Sequence, residues 1–313
     1  MEQLTERFAA TESKLVFGSS PICPMECQAE CRALWQKSAE AFGASDFSRQ
    51  VFTILECPKC HIGFTEPVPT RETAHLLYEE RKSGDFQPDD TPLATKLKAW
   101  FARRDIRSFC RGISLPQTPR FLDFGCGNGF FVRAFQQEYP NSQAIGADEH
   151  VSPPQLLPES AYFSYQQLGE SSGTFDLILC RHVLEHTYDP VGALRFLAKM
   201  LSPAGVLVIE VPALETIWKR VFGKWWDGWY APFHPLHFTQ QGLSLVIQEA
   251  GLKVIKTGNA EMPKMGRSIR NVLGCEYNVW LFILGAMLQP AQVLAGKATG
   301  TSVCHRIWAS RQG

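Results

Sequence analysis

The sequence predicts an α/β protein built on a doubly wound parallel sheet, preceded by a small Cys-rich unit. Three observations predict it. Apolar runs of strand length alternate with amphipathic helical segments over residues 119 to 258, the pattern of a parallel sheet covered by helices. A glycine-rich turn, Gly125 to Gly129, joins the first of these strands to the first helix, and an acidic residue, Asp148, closes the next strand. Five of the ten cysteines, Cys23, Cys27, Cys31, Cys57 and Cys60, fall within the first 60 residues.

Residues 1 to about 68 read as the Cys-rich unit. Within it RQVFTIL (Arg49 to Leu55) is a short strand leading into Cys57-Pro58-Lys59-Cys60, and Pro67-Val68-Pro69 closes the unit. Residues 69 to 115 read as connecting helices. Thr70 can cap a helix through Ala74, Leu77 and Tyr78; Ser83 to Pro92 is a polar break; a second helix follows, with Leu97, Trp100, Phe101 and Phe109 at helical spacing. Its other positions hold Lys96, Lys98, Arg103, Arg104, Arg107 and Arg111, either a solvated face or a contact for an anionic partner.

The sheet domain occupies residues 116 to 313. Arg120 to Phe124 is its first strand and Val132 and Phe135 mark the first helix; Gln143 to Ala147 is the second strand, and Phe175 to Cys180 the next clear one. Asp189-Pro190 is an N-cap and first-turn pair for a helix to Met200, Pro203-Ala204-Gly205 turns the chain, and Val206 to Val211 is a buried strand. Thr239 opens a helix ending at Gly251, before a strand from Leu252 to Lys256. Two stretches, 213 to 238 and 259 to 300, read as insertions.

Composition bounds the function. Lys plus Arg and Asp plus Glu each total 31 in 313 residues, so the chain as a whole lacks the basic footprint of a nucleic-acid binder. The polar start MEQLTERFAATESK has no apolar stretch of the secretory kind, which predicts a reduced, cytoplasmic chain. The longest apolar run, Val279 to Leu288, is ten residues, where a spanning helix needs about 20.

At the glycine turn, Asp123-Phe124-Gly125-Cys126-Gly127-Asn128-Gly129, the spacing is G-x-G-x-G with an acid two residues ahead. Glycines there permit positive φ and close approach of a ligand to bare backbone beside a helix N-terminus. A carboxylate at Asp123 would repel a pyrophosphate but suits a ligand with a positive charge, and Asp148 stands where an acid accepts ribose hydroxyls. The pair implies a nucleoside cofactor without phosphates, and disfavours a dinucleotide oxidoreductase.

FLDFGCGNGFF (121 to 131), IGADEH (145 to 150), FDLILCRHVLEHTYDP (175 to 190) and LSPAGVLVIEVP (201 to 212) together resemble the class I S-adenosylmethionine-dependent methyltransferases. The resemblance implies a Rossmann-like, seven-stranded sheet whose last strand, about Ser302 to Ala309, is antiparallel. It further implies S-adenosylmethionine as cofactor, contacted by Asp123, Gly125, Cys126, Gly127, Asn128, Gly129, Asp148 and Arg181. His182 would sit near the reactive end of that cofactor as catalytic or acceptor-binding residue; a helix cap or a packed polar cluster is the structural reading of His182, Glu185 and His186.

The cysteines form two knuckles, Cys23-x3-Cys27 and Cys57-x2-Cys60, which supply the four thiolates of tetrahedral zinc; Cys31 is a substitute for one of the first pair, and reduced free thiols are the alternative. Cys57-Pro-Lys-Cys-His-Ile-Gly-Phe-Thr-Glu-Pro-Val-Pro resembles the zinc-binding, zinc-ribbon-like segment that precedes the catalytic domain in some sugar and polysaccharide-cluster methyltransferases, with His61 where glycine is usual. His234-x-x-His237-Phe-Thr resembles a motif bordering the acceptor in the same subgroup, which implies catalytic or acceptor contacts for His234 and His237; capping of the loop is the structural alternative.

Four of the eight tryptophans, Trp218, Trp225, Trp226 and Trp229, crowd the first insertion, suited to a sugar face, a bilayer interface or simple loop packing. The second insertion, Gly274 to Ala295, reads as a buried helix or as a lid meeting a membrane surface, with Lys219, Arg220, Lys224, Arg267 and Arg270 available to anionic lipid. The expected acceptor is therefore a sugar, a lipid-linked sugar or another small molecule with an oxygen or carbon nucleophile, with peripheral membrane contact as a corollary. An aromatic or quinone acceptor, and a non-catalytic binding module of the same fold, are the alternatives.

Overall fold

A computed structural model of the chain describes residues 17–18, 23, 25–38, 51–70, 73, 92–150 and 152–312. The helix expected through Ala74, Leu77 and Tyr78 lies outside them, as does the polar break up to residue 91.

The Cys-rich unit contributes β1 (Phe17–Gly18), β2 (Arg32–Ser38), β3 (Val51–Glu56), β4 (Ile62–Glu66) and β5 (Val68–Pro69). β2, β3 and β4 pair antiparallel in sequence order, and β1 pairs with β5. In β3 the inward Phe52 and Ile54 are fully buried while Val51 faces out, the period-two alternation of a sheet with one packed face.

Helix α1 (Pro92–Phe109) bridges to the large sheet. Ala102, Ile106 and Phe109, spaced four and three apart, form its buried face, whereas Trp100 and Phe101 point outward. Of the expected apolar face Phe109 is buried, and the centre of the buried face lies about a third of a turn from the one expected. Two of the basic residues are engaged within the chain: Arg103 Nε and Arg107 Nε each donate to Glu138 at 2.7 Å.

The large sheet runs through β6 (Arg120–Phe124), α2 (Phe130–Glu138), β7 (Gln143–Asp148), β8 (Tyr162–Ser164), α3 (Tyr165–Glu170), β9 (Phe175–Arg181), α4 (Pro190–Lys199) and β10 (Leu201–Pro212). The chain continues through α5 (Trp218–Phe222), β11 (Leu236–Phe238), α6 (Gln240–Glu249), β12 (Leu252–Ala260), α7 (Met265–Leu273), α8 (Val279–Thr299) and β13 (Cys304–Arg311). Seven strands order as β12-β13-β10-β9-β6-β7-β8. β13 is antiparallel to both neighbours and the other pairings are parallel, the expected Rossmann-like arrangement.

The central strands are buried on both faces, which is why they read as unbroken apolar runs: Leu177 to Cys180 and Leu207 to Ile209 expose almost nothing. Caps set the helix starts as expected. Asp189 accepts the Gly192 N–H at 2.8 Å, and the Thr239 hydroxyl oxygen accepts that of Gly242 at 2.9 Å. Strand β8 is an addition to the sequence reading, so Phe175 to Cys180 is fourth along the chain. Pro203-Ala204-Gly205 turns the chain back on Ser202 within β10, and the register with β9 shifts there, between Leu201 and Val206.

The first insertion does more than hang over the sheet. Its β11 pairs antiparallel with β4, so it supplies the fourth strand of the Cys-rich sheet. The second insertion forms the pair α7 and α8. α8 is 21 residues long, which corrects the span expected from the ten-residue apolar run: by length and composition it is long enough to cross a membrane. It is not a buried core helix, since most of its apolar side chains are exposed.

Candidate active site

β6 lies between β7 and β9, where the strand order reverses, and ligands of such sheets bind at the carboxyl ends of the strands at this point. The glycine turn emerges there. Gly125, Gly127 and Gly129 have φ of +80°, +50° and +81°. A Cβ on Gly125 would stand 2.2 Å from Val183 Cγ2, and one on Gly129 2.5 Å from Leu157, so packing requires glycine at both. Gly127 differs, since a Cβ there would meet nothing within 4 Å. Open space above this bare backbone is a cradle for a ligand.

The cradle has two acids. Asp148, at the end of β7, accepts the Gly127 N–H and the Glu149 N–H at 2.8 Å each, which holds its carboxylate at the rim. Asp123 is buried at the end of β6, and its Oδ2 has no hydrogen-bond partner among the described residues. Burial pushes its carboxyl up to about 7, against the opposing charge of Arg181 and with a further push from Asp148. A buried orphan acid beside an open cradle fits a ligand bearing an ammonium group, and a rim carboxylate fits ribose hydroxyls; the residues therefore fit S-adenosylmethionine. Cys126 turns its side chain inward against Gly146, so its share in the loop is backbone. Tyr165, which the sequence reading overlooked, stacks on Phe124 at 4.5 Å beneath the loop.

Arg181 ends β9 and is committed inside the protein. Its Nε donates to Glu210 Oε1 at 2.8 Å, and its guanidinium lies 5.1 Å from the centre of the Phe131 ring. Glu210 also accepts from Arg306 Nε at 2.6 Å. Burial alone would raise the Glu210 carboxyl, but the charges of Arg181 and Arg306 and the nearby His182 ring hold it well below the usual carboxylate range. Arg181 thus reaches the cradle as charge near Asp123. Glu210 went unnoticed in the sequence, although an acid inside the run VLVIEV is itself a signal, because carboxylates are almost never fully buried without partners.

His182 follows β9 with φ +55°. Its Nδ1 lies 3.1 Å from Glu185 Oε1 and its Nε2 3.6 Å from Glu210 Oε1, the latter with no hydrogen-bond partner. The histidines of the first insertion are placed differently. His234 is buried, its Nδ1 3.2 Å from the Gly228 carbonyl, and burial holds it well below the ordinary histidine value, so its ring is neutral. His186 Nδ1 lies 2.7 Å from the Phe233 carbonyl, and the His186 and His234 rings meet edge to face at 4.7 Å. Donor atoms of Glu185, His186 and His234 fall within 4.8 Å of one another, a spacing able to hold a cation. His237 Nε2 is 2.9 Å from Thr65 Oγ1, whose hydroxyl donates to the His234 carbonyl at 2.7 Å. With its single proton so used, Thr65 accepts from His237, which fixes the Nε2–H tautomer.

Three of the four tryptophans of the first insertion are core. Trp226 and Trp229 are fully buried and Trp218 nearly so, packed in one cluster with Phe52 and Ile54 of β3, while Trp225 faces outward. The Trp229 indole N–H donates to the Gly223 carbonyl at 2.9 Å.

The thiols of Cys23, Cys27, Cys57 and Cys60 come together, all within 4.8 Å of one another, with Cys23 and Cys60 sulfurs 3.3 Å apart. Tetrahedral zinc with thiolates at about 2.3 Å separates its sulfurs by about 3.7 Å, so the set fits the metal. The Met25 N–H points at Cys23 Sγ at 3.4 Å. Without a metal the thiols of the set differ: the backbone N–H groups of Cys60 and Lys59 help bring Cys57 down to about 7 against burial, whereas burial pushes Cys27 up to about 11 and raises Cys60 as well. Cys31 lies outside this set of four, its thiol directed at the Ala29 carbonyl at 3.5 Å, though near enough to interact with Cys57. His61 has φ +57°, the left-handed conformation that favours glycine after such a knuckle.

A family model described as a methyltransferase domain matches residues 98–257. The chain is 29% identical over 135 residues to a malonyl-[acyl-carrier protein] O-methyltransferase of Magnetococcus marinus, covering 39% of this chain and 49% of that one. It is 33% identical over 107 residues to a ubiquinone biosynthesis O-methyltransferase of Xanthomonas campestris pv. campestris, covering 31% and 44%. The chain thus spans less than half the length of these curated relatives. Among solved structures, coclaurine N-methyltransferase bound to N-methylheliamine and SAH superposes with a TM-score of 0.46 at 16% identity, over 72% of this chain and 76% of that one.

Proposed function

The chain belongs to the class I S-adenosylmethionine-dependent methyltransferases, and on that premise we propose that it methylates an oxygen or carbon nucleophile of a sugar, a lipid-linked sugar or another small molecule. The observation that supports this most is the cradle: open space over Gly127, a rim carboxylate at Asp148, and a buried carboxylate at Asp123 with an unpartnered oxygen. When bound, S-adenosylmethionine supplies an electrophilic methyl on a sulfonium sulfur. Asp148 accepts hydrogen bonds from the ribose hydroxyls, the Asp123 carboxylate accepts from the ammonium, and the N–H groups of the glycine loop border the methionine part. Arg181, tied to Glu210, balances the charge of Asp123.

The acceptor reaches this point from the side of the first insertion. Its nucleophile must lie in line with the methyl, and most of the rate gain comes from that positioning and from exclusion of water. Where the nucleophile is a hydroxyl, its proton must leave. His182 is assigned to receive it by turning its ring out from between Glu185 and Glu210, where its Nε2 is buried in this structure. His234 and His237 are assigned to the wall of the acceptor site, which they brace from within the junction with β4. At the four thiols we propose a structural zinc ion that holds the two knuckles together.

Labelled-methyl transfer onto fractionated cell extract, with lipid, quinone and sugar-nucleotide pools separated, tests the acceptor. Label in the lipid-linked or sugar-nucleotide pool is the expected result. Label confined to the quinone pool would overturn the sugar assignment and favour the second reading, an aromatic or quinone acceptor, which similarity to a ubiquinone biosynthesis O-methyltransferase supports.

A further inference from the structure

Helix α8 is apolar nearly all round, with no charged side chain from Val279 to Gly296, yet only a fifth of its most apolar stretch is buried. The two halves differ. In the second half Gln292 is buried and donates to Glu261 and to the Met262 carbonyl, and Gly296 sits against Thr301, so this half is fixed to the body of the protein. In the first half Val279, Trp280, Phe282, Ile283 and Met287 stand in solvent, Trp280 and Met287 about three-quarters exposed. At 100° per residue these five side chains, with Leu284, cover an arc of about 200°. The end of α7 extends the patch, since Leu273 is 65% exposed.

We propose that this knob, the first half of α8 with the end of α7, inserts into the headgroup and acyl boundary of an anionic lipid bilayer. Three observations select lipid over a protein partner. A second helix covers a stripe of about 100°, whereas hydrocarbon surrounds a side chain on every side, so an exposed arc twice that width suits a bilayer. Arg267 and Arg270 on α7, and Lys224 in the turn packed against α7, stand beside the knob against the acid Glu276, which matches anionic headgroups. Trp280 and the outward Trp225 are the amphipathic rings favoured at such a boundary.

The knob is joined to the acceptor side. α7 and α8 cross where Gly266 and Gly285 touch, and a Cβ on Gly266 would stand 2.4 Å from the Leu281 carbonyl oxygen. Ser268 Oγ receives the Asp227 N–H at 3.1 Å, Asn271 donates to the Trp225 carbonyl at 3.2 Å, and Lys264 pairs with Asp227 at 2.9 Å. Docking would therefore hold the first insertion at the lipid surface, where a lipid-linked acceptor is presented.

The test is flotation of the full chain with vesicles of phosphatidylcholine containing one-third phosphatidylglycerol at low salt. Wild type is expected to float with the vesicles, and Trp280→Glu with Met287→Glu to lower the floating fraction about tenfold. Both positions are exposed, so the double variant keeps its fold, checked by an unchanged thermal midpoint. Full recovery in the soluble fraction, or equal flotation of wild type and double variant, would overturn the proposal. A wild-type dimer in sedimentation that the double variant abolishes, without vesicle binding, would assign the patch to a second copy and overturn it equally. No cofactor enters the assay, so failure here is separate from failure of the methyl-transfer reading.

Discussion

Thr65 Oγ1 and His237 Nε2 lie 2.9 Å apart across 172 residues of sequence, and this bond joins the Cys-rich unit to the first insertion. It has company: the Thr65 N–H donates to the Pro235 carbonyl at 2.9 Å, and the Thr239 hydroxyl to the His61 carbonyl at 2.8 Å. Thr65→Val keeps the shape but leaves the His237 N–H and the His234 carbonyl buried without that partner. Each such loss amounts to about 1–3 kcal/mol. The variant should show a thermal midpoint lower by several degrees with unchanged S-adenosylmethionine affinity, measured by calorimetry, since the glycine loop lies at the end of another strand.

Because β11 completes the Cys-rich sheet, loss of the proposed zinc should reach the first insertion. The protein as purified should contain about one equivalent of zinc. Cys57→Ser with Cys60→Ser should lose it, and tryptophan emission should move to the red as the cluster around Trp226 and Trp229 loosens. Metal content well below one equivalent in the unaltered chain, or unchanged emission in the metal-free variant, would defeat the claim.

The parallel sheet was legible because its central strands are buried on both faces and so write themselves as apolar runs, Leu177 to Cys180 and Leu207 to Ile209. β8 and β11 were not, each being three residues long, and the partner of β11 lies in a unit far away in sequence, where no local pattern reaches. In α1 two sets of apolar residues satisfy helical spacing, and only packing decides that Ala102, Ile106 and Phe109 face inward. The cradle was legible through its glycines and acids. The tryptophan cluster was ambiguous because a ring reads alike in a core or on a binding face, and burial of Trp226 and Trp229 makes it mostly core.

Gly127 separates folding from binding. A Cβ there meets nothing within 4 Å, so Gly127→Val fills the cradle while straining only a residue at φ +50°, at about 1–2 kcal/mol. Asp148→Ala leaves the cradle open but removes the rim carboxylate. Both variants should fold and both should weaken S-adenosylmethionine binding, Asp148→Ala by at least about tenfold, in line with about 1.5–3 kcal/mol for a charged hydrogen bond. Calorimetry with unchanged affinity in either variant would move the cofactor away from this loop.

Asp123 makes a prediction in which stability and binding move in opposite directions. Its carboxyl stands at about 7 in the folded chain, above its ordinary value of 3.8, because burial disfavours the charge. Between those two pH values the folded state keeps a proton that the unfolded state has released, so this group makes stability fall as pH rises from about 4 to about 7, and the loss is complete above that. Three pH units correspond to about 4 kcal/mol as an upper bound. Asp123→Asn removes the ionisation, so chemical denaturation should find the variant gaining on wild type as pH rises from 5 to 8. Binding should do the reverse. The ammonium of the cofactor stabilises the charged carboxylate, so wild-type affinity should rise over the same interval with release of a proton, seen as a buffer-dependent heat in calorimetry, and Asp123→Asn should bind more weakly without that pH dependence. Equal pH dependence of binding in the two proteins would show that Asp123 does not face the cofactor.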